Sequence, residues 1–118
     1  MRFTFVQLRA FTAEARHAGL SGEDLRGIEN EIMRRPLAWP LMAGTGGVRK
    51  MRYAPQASGR GKSGGVRVCY FLAEDAGRVY LMNVFAKNEK GNLSAAECGT
   101  IKQMIARLKA NLKKELSP

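Results

Sequence analysis

The stretch of this chain that is best suited to bind phosphate runs from Gly46 to Tyr70 and contains six cations and no acid. The cations are Arg49, Lys50, Arg52, Arg60, Lys62 and Arg67, and the surrounding window from Ile32 to Ala73 also lacks Asp and Glu. The 10 acids of the chain are all found elsewhere. Ammonium and guanidinium groups bind phosphate oxygens, and arginine does so through two parallel hydrogen bonds. We therefore expect the ligand of this stretch to be a phosphate backbone.

Two predicted strands present these cations. Over Val48–Tyr53, one face would carry Val48, Lys50 and Arg52 and the other Arg49, Met51 and Tyr53. Over Val66–Leu72, the residues Val66, Val68, Tyr70 and Leu72 alternate in the same way with Arg67, Cys69 and Phe71. The alternation puts Lys50 and Arg52 on one face. The loop Ala54–Gly65 is too long for a tight hairpin turn, and loops of this kind are often functional. Two cationic strands joined by a cationic loop predict a positive surface on a rigid support.

The composition indicates one folded domain over residues 1–118 with an affinity for polyanions. The chain has 45% apolar residues and a net charge of +10, and such an excess favours nucleic acid as a partner. The two cysteines, Cys69 and Cys98, show no metal-ligand spacing and are expected to be reduced thiols. The single histidine, His17, lies on a short predicted helix, where packing is its expected role. Ser/His/Asp and Cys/His catalysis are excluded on this ground, and we expect neither a metal nor a cofactor.

The expected location is the cytoplasm. Residues Met1–Leu8 are too short and too interrupted to form the apolar region of a signal peptide. No apolar run reaches the ~20 residues that a membrane span requires. We expect no association with a membrane.

The order of the predicted elements favours an α+β fold. A strand at Arg2–Val6 precedes a helix over about Phe11–Ala18, which Thr12 is expected to cap, and a second helix that Ser21 and Asp24 open as a capping box. The connector Pro36–Gly47, in which Trp39 is expected to pack on the core edge, leads to strands at Val48–Tyr53, Val66–Leu72 and Arg78–Ala86, with a tight turn at Glu74–Gly77. We predict a small antiparallel sheet of about four strands, packed against an N-terminal helical hairpin and a C-terminal helix. One sheet face should be covered, and the other should carry the charged residues.

The last helix shows the clearest periodicity. Ser94 and Glu97 form a second capping box. The apolar stripe that follows consists of Ile101, Met104, Ile105, Leu108 and Leu112. We expect this stripe to be buried and the lysines of the opposite face to be solvated.

The GKSGG run at Gly61–Gly65 resembles a phosphate-binding loop but lacks its context. The full motif needs a glycine where this chain has Gln56, and it needs a helix directly after the lysine. A strand follows instead, so an ATPase is excluded. A glycine-rich loop that brings Lys62 to a phosphate is the expected use.

Three runs together resemble the HigB branch of the RelE/ParE toxin family. They are GTGGVRKMR, GKSGGVRVCYF and VYLMNVFAKNEKGNLSAAE, and the resemblance covers the chain from about Pro36 to Glu97. It implies a RelE-like fold with a concave basic face. It also implies a toxin of a type II toxin–antitoxin system, which cuts mRNA on the ribosome and is neutralised by a cognate antitoxin. A HigA-like antitoxin with a helix-turn-helix DNA-binding domain is the expected partner.

The resemblance also assigns site residues. Arg67, in the RVCY context, matches the strand arginine that contacts the scissile phosphate, and Lys50 and Arg52 match alternating basic positions of the preceding strand. Lys87, in AKNE, matches a basic region at the end of the last strand. The catalytic candidates are therefore Arg67, Lys87, Lys50 and Arg52, and the RNA-binding candidates are Lys62, Arg49, Arg60 and Asn88, which stands where RelE has an arginine.

The implied chemistry is attack of an RNA 2′-OH on the adjacent phosphate. An arginine fork suits the charge that develops on the phosphoryl oxygens. With no usable histidine, a lysine crowded by other cations is the candidate base, and both Lys50 and Lys87 fit this role. Two alternatives stay open: a ParE-like poison of DNA gyrase, and a ribosome- or RNA-binding module without catalysis.

Overall fold

A four-stranded sheet with the order β1-β4-β3-β2 forms the centre of the molecule. The computed structural model describes residues 2–55 and 65–117. The elements are β1 (Thr4–Gln7), α1 (Arg9–His17), α2 (Gly22–Arg34), β2 (Val48–Tyr53), β3 (Val66–Ala73), β4 (Arg78–Ala86) and α3 (Ala95–Leu116). This confirms the α+β class and the four predicted strands. Lys62 and Arg60 lie outside the described residues.

The sheet is mixed, whereas the sequence predicted a wholly antiparallel one. β2, β3 and β4 pair antiparallel in chain order, but β1 pairs parallel with β4, with Thr4 opposite Arg78 and Gln7 opposite Leu81. The chain leaves β1 through α1 and α2 and enters the sheet again at the opposite edge, so β1 is left beside the last strand. Beyond the end of β1, the Glu14 carboxylate of α1 accepts hydrogen bonds from the Asn83 side chain and the Val84 N–H, at 3.0 and 3.1 Å. These bonds attach α1 to β4.

The helices cover both faces of the sheet, which corrects the expectation that one face would be free. The hairpin-side core, which α1 and α2 form with one sheet face, contains Phe11, Ala15, Ile28, Ile32, Met51, Val66, Val68, Tyr70, Val79, Leu81 and Val84. The α3-side core on the other face contains Val48, Cys69, Phe71, Ala73, Tyr80, Met82, Phe85, Leu93, Ile101, Ile105 and Leu112. Ile101, Ile105 and Leu112 of the α3 stripe belong to this second core, and Met104 and Leu108 pack against it while partly buried. The prediction that the stripe packs on the sheet is confirmed. A charged face can therefore occupy only the part of the sheet that α3 leaves open.

Two capping boxes set the starts of the longer helices, as predicted. In each box a serine hydroxyl accepts the backbone N–H three residues on, and the acid at that position accepts the serine N–H, at Ser21–Asp24 and Ser94–Glu97. Helix α1 differs from the prediction. It begins at Arg9 after Leu8, without a side-chain cap, and Thr12 lies inside it. The Thr12 hydroxyl donates to Gln7 Oε1 at 3.0 Å.

The connector between α2 and β2 covers part of the β2 edge. Leu41 forms an isolated antiparallel bridge with Arg49, and the Lys50 N–H donates to the Pro40 carbonyl at 3.0 Å. Trp39 packs against the hairpin-side core, with the Arg35 guanidinium 5.8 Å from its ring centroid. The connector thus holds β2 in place near the middle of the acid-free window.

The described helices are all too short or too polar to cross a lipid bilayer.

Candidate nucleic-acid interface

Arg52 and Arg67 lie directly opposite each other on neighbouring strands. The register of β2 and β3 makes them Cα partners and pairs Lys50 with Cys69, while β3 and β4 pair Arg67 with Phe85. Directly opposed residues project from the same face of a sheet. Cys69 and Phe85 belong to the α3-side core, so the three cations share the face on which α3 packs.

These cations occupy the end of the face that α3 does not cover. Arg52 is exposed, and Lys50 and Arg67 are half-buried. At the other end, Phe71 and Ala73 are buried in the core beneath α3. We call the uncovered end, defined by Lys50, Arg52 and Arg67, the cationic end of the sheet. Like charges placed directly opposite each other destabilise a sheet, so the Arg52–Arg67 pair is not explained by folding.

The turn after β4 brings Lys87 to the same end. The Lys87 N–H donates to the Gly65 carbonyl at 3.0 Å, which continues the β3–β4 pairing by one residue beyond Val66 and Ala86. Lys87 and Asn88 are both exposed. Three of the four catalytic candidates thus share one patch of sheet, and the fourth stands in the adjoining turn.

Arg49 is not part of this patch. It lies between Val48 and Lys50 on β2, so its side chain points to the opposite face. There its Nη1 donates to the carbonyls of Trp39 and Leu37 at 2.7 and 3.2 Å. These two bonds use the guanidinium to fix the connector.

Lys50 has a defined position at the edge of the patch. Its Nζ donates to Asn92 Oδ1 at 3.3 Å, and the same oxygen accepts the Leu93 N–H at 2.9 Å. Beside Lys50, burial raises the pKa of the Cys69 thiol to about 12, against the opposing influence of the Lys50 charge. At neutral pH this thiol is protonated, and it cannot act as a nucleophile.

Sequence reasoning missed two residues of the segment between β4 and α3. Asn92 positions Lys50, and Lys90 places its Nζ 5.5 Å from the Phe85 ring centroid and 2.5 Å from Glu97 Oε2. The hydrogen bond from Lys90 and the bond from the Ser94 backbone lower the pKa of Glu97. Lys90 and Asn92 come directly after the AKNE motif, in the three-residue run KGN. The sequence offered one signal for these two residues: they lie in a polar segment that joins the cationic end of a strand to the cap of the next helix.

His17 contacts an acid at the surface of the molecule. His17 Nε2 lies 3.3 Å from Glu89 Oε2, and both side chains are largely exposed. Among residues 2–55 and 65–117, no group of three or more His, Cys, Asp and Glu side chains is arranged to hold a metal ion. The described side chains that define the cationic end are those of arginine and lysine.

A family model extends over nearly the whole chain. It is described as the RelE toxin of the RelE/RelB toxin–antitoxin system, and it matches residues 5–118. The chain belongs to the RelE toxin family. A cognate antitoxin is therefore implied as a partner of this RelE-family toxin.

A solved structure shows the same fold. It is the E. coli toxin RelE in the free state, as a double arginine-to-alanine mutant. The match has a TM-score of 0.52 at 15% sequence identity and covers 77% of this chain and 90% of that chain. The fold of this RelE-family toxin is thus that of RelE, with the cationic end placed on the sheet as described above.

Proposed function

We propose that this RelE-family toxin is a HigB-like, ribosome-dependent mRNA endonuclease. The observation that carries the proposal is the direct opposition of Arg52 and Arg67 on the part of the sheet that α3 leaves open. Two guanidinium groups that project from directly opposed strand positions can both be attracted to one anion. A phosphodiester supplies that anion, and each arginine can donate two hydrogen bonds to it.

The proposed reaction is an internal transesterification. The 2′-oxygen forms a bond to phosphorus while the bond from phosphorus to the 5′-oxygen of the next nucleotide breaks. A base takes the proton of the 2′-OH, and an acid protonates the departing 5′-oxygen. The products are a 2′,3′-cyclic phosphate and a 5′-hydroxyl end. The bonds and protons of this reaction balance without a metal or a cofactor.

The residues take separate roles in this scheme. Arg67 is the clamp on the non-bridging oxygens, where negative charge grows in the transition state. Arg52 stands opposite and neutralises the same phosphate. Lys50 and Lys87 are the two candidates for the base, which must be in its neutral form to accept the proton. Lys50 is held by Asn92, whereas Lys87 stands exposed in the turn after β4.

Dependence on the ribosome follows from the need to align the reacting atoms. The cationic end would hold the phosphate, but the attacking 2′-OH and the departing 5′-oxygen must also lie in line with it. Alignment of the reacting atoms can contribute ~7–11 kcal/mol to catalysis. A ribosome that holds a codon in one conformation would supply this alignment. We further propose that the antitoxin is HigA-like, with a helix-turn-helix domain, and that it limits access to the cationic end.

Mapping of RNA 5′ ends after induction of the toxin tests the proposal. New ends should appear at codon boundaries within translated messages. A reporter message without its start codon should stay intact, because no ribosome presents its codons. Double-strand breaks in DNA with intact messages would instead support a gyrase poison. Growth arrest with neither kind of break would support a binding module without catalysis.

A further inference from the structure

The segment between β4 and α3 ends beside Lys50. Asn92 Oδ1 accepts a hydrogen bond from the Lys50 ammonium at 3.3 Å and a second one from the Leu93 N–H at 2.9 Å. A backbone N–H can only donate, so the second bond identifies this atom as the oxygen of the amide. Leu93 is buried in the α3-side core. The oxygen that binds Lys50 is therefore attached to a fixed part of the molecule.

Folding alone does not account for the bond between Asn92 and Lys50. Ser94 and Glu97 already cap the start of α3, and Asn92 precedes this cap. The bond to Lys50 is exposed to solvent, where water competes for both groups and the net stabilisation is small. The bond does restrict the lysine side chain, whose four-carbon stem is otherwise free to rotate.

The restricted position of Lys50 lies within reach of a phosphate at the cationic end. Lys50 shares its sheet face with Arg52, which is two residues further along β2. Residues two apart on a strand are separated by roughly 6.6–6.8 Å. The Lys50 side chain can therefore reach the sugar beside a phosphate that Arg52 and Arg67 bind. A group that takes a proton must lie within hydrogen-bond distance of it, so a restricted side chain favours the transfer.

Lys87, the other candidate for the base, is held differently. Its backbone N–H donates to the Gly65 carbonyl at 3.0 Å, which fixes the main chain only. Its side chain is exposed, and among residues 2–55 and 65–117 no group accepts a hydrogen bond from its ammonium. Of the two lysines, only Lys50 thus has a side chain that a described residue orients.

We infer that Asn92 is a positioning residue of the proposed nuclease, which acts by holding the Lys50 side chain beside the bound phosphate. The inference rests on the proposed function and selects Lys50 from the two candidates for the base. A neutral amine has N–H groups that donate and one lone pair that accepts. When Asn92 accepts one N–H of Lys50, the lone pair points away from Asn92 and can take the proton of the 2′-OH. Asn92 itself does not touch the reacting atoms.

A double-mutant cycle, measured as single-turnover cleavage on programmed ribosomes, tests this inference. Asn92→Ala should slow cleavage at saturating ribosomes by about tenfold to a hundredfold, because a misplacement of about 1 Å can cost this much. The ribosome concentration for half the maximal rate should not change. The same substitution should have its full effect in Lys87→Ala and none in Lys50→Ala. Asn111→Ala, at an exposed position of α3, should keep the wild-type rate. A full effect of Asn92→Ala in Lys50→Ala would overturn the inference.

The mobility of the Lys50 side chain tests the inference without catalysis. NMR relaxation of the lysine ε-carbons reports motion on the picosecond to nanosecond timescale. Lys50 should be more ordered than Lys113, an exposed lysine of α3, and Asn92→Ala should remove this difference. Equal mobility of the two lysines in the wild type would contradict the role of Asn92. An ordered Lys50 in a protein that leaves translated mRNA intact would instead overturn the proposed nuclease activity, and the ordering of Lys50 by Asn92 would stand.

Discussion

The same strands form both ends of the sheet face on which α3 packs, but one end is apolar and buried whereas the other is cationic and exposed. At one end, Phe71 and Tyr80 pack with their ring centroids 6.2 Å apart, and Ile105 of α3 is 1% exposed. At the other end, Arg52 stands opposite Arg67 outside the cover of α3. Burial of apolar area stabilises the first end, whereas like charges at directly opposed positions are expected to lower the stability of the second. Strand β3 therefore carries both the core and the proposed clamp.

The largest stability effect is expected at the covered end. Ile105→Ala removes a buried side chain from the α3-side core and should lower the free energy of unfolding by ~2–5 kcal/mol. Lys102→Ala, at an exposed position of the same helix, is the control and should change it by less than ~0.5 kcal/mol. Urea denaturation measures both. A small effect of Ile105→Ala would mean that α3 does not hold this end of the face.

The next effect separates the two faces of β2. Arg49→Gln loses two charge-assisted hydrogen bonds to the connector carbonyls and should lower the free energy of unfolding by ~1.5–3 kcal/mol. Arg52→Gln relieves the repulsion with Arg67 and should leave stability unchanged or raise it by ~0.2–1 kcal/mol. Thermal and urea unfolding of the two variants give the comparison. If Arg52→Gln proved the more destabilising change, the cationic end would be structural.

A smaller, pH-dependent effect is expected where α3 begins, next to the cationic end. The Lys90 ammonium and the Ser94 N–H lower the pKa of Glu97 below its ordinary value of 4.5. Because the folded pKa lies below the unfolded one, this stabilisation is complete above about pH 4.5 and is lost as the pH falls through the folded value. Glu97→Gln keeps the capping box but loses the charge. It should cost ~0.3–1 kcal/mol at neutral pH, since the pair is partly exposed.

The measurement for Glu97→Gln is urea unfolding at a series of pH values. The difference between wild type and variant should shrink steadily below pH 4.5, where Glu97 becomes protonated in both states. A difference that stays constant with pH would show that the glutamine perturbs packing rather than charge.

Local patterns in the sequence predicted most elements because each depends on neighbouring residues. The bounds of β2 and β4 and both capping boxes follow from alternation and from side chains three residues apart. The parallel pairing of Thr4 with Arg78 could not be read, since no local pattern records a partner so distant in the chain. Helix α1 begins at Arg9 without a side-chain cap, so the prediction that Thr12 caps this helix was wrong.

The candidate site divides in the same way. Alternation predicted that Lys50 and Arg52 share a face, and the resemblance singled out Arg67. The opposition of Arg52 and Arg67 depends on the register between β2 and β3. The number of residues between the two strands does not determine this register. The approach of Asn92 to Lys50 likewise needs the fold, because 42 positions separate them.

The most direct test of the nuclease proposal is single-turnover cleavage of mRNA on programmed ribosomes by Arg67→Ala. Loss of a donor that stabilises the transition state should slow cleavage by about a hundred- to thousandfold, with ribosome association largely retained. Lys113→Ala, which removes one exposed charge of α3, is the control: it should weaken association modestly and leave the cleavage step unchanged. Wild-type cleavage rates in Arg67→Ala would contradict the clamp assignment and make Lys87 the first candidate.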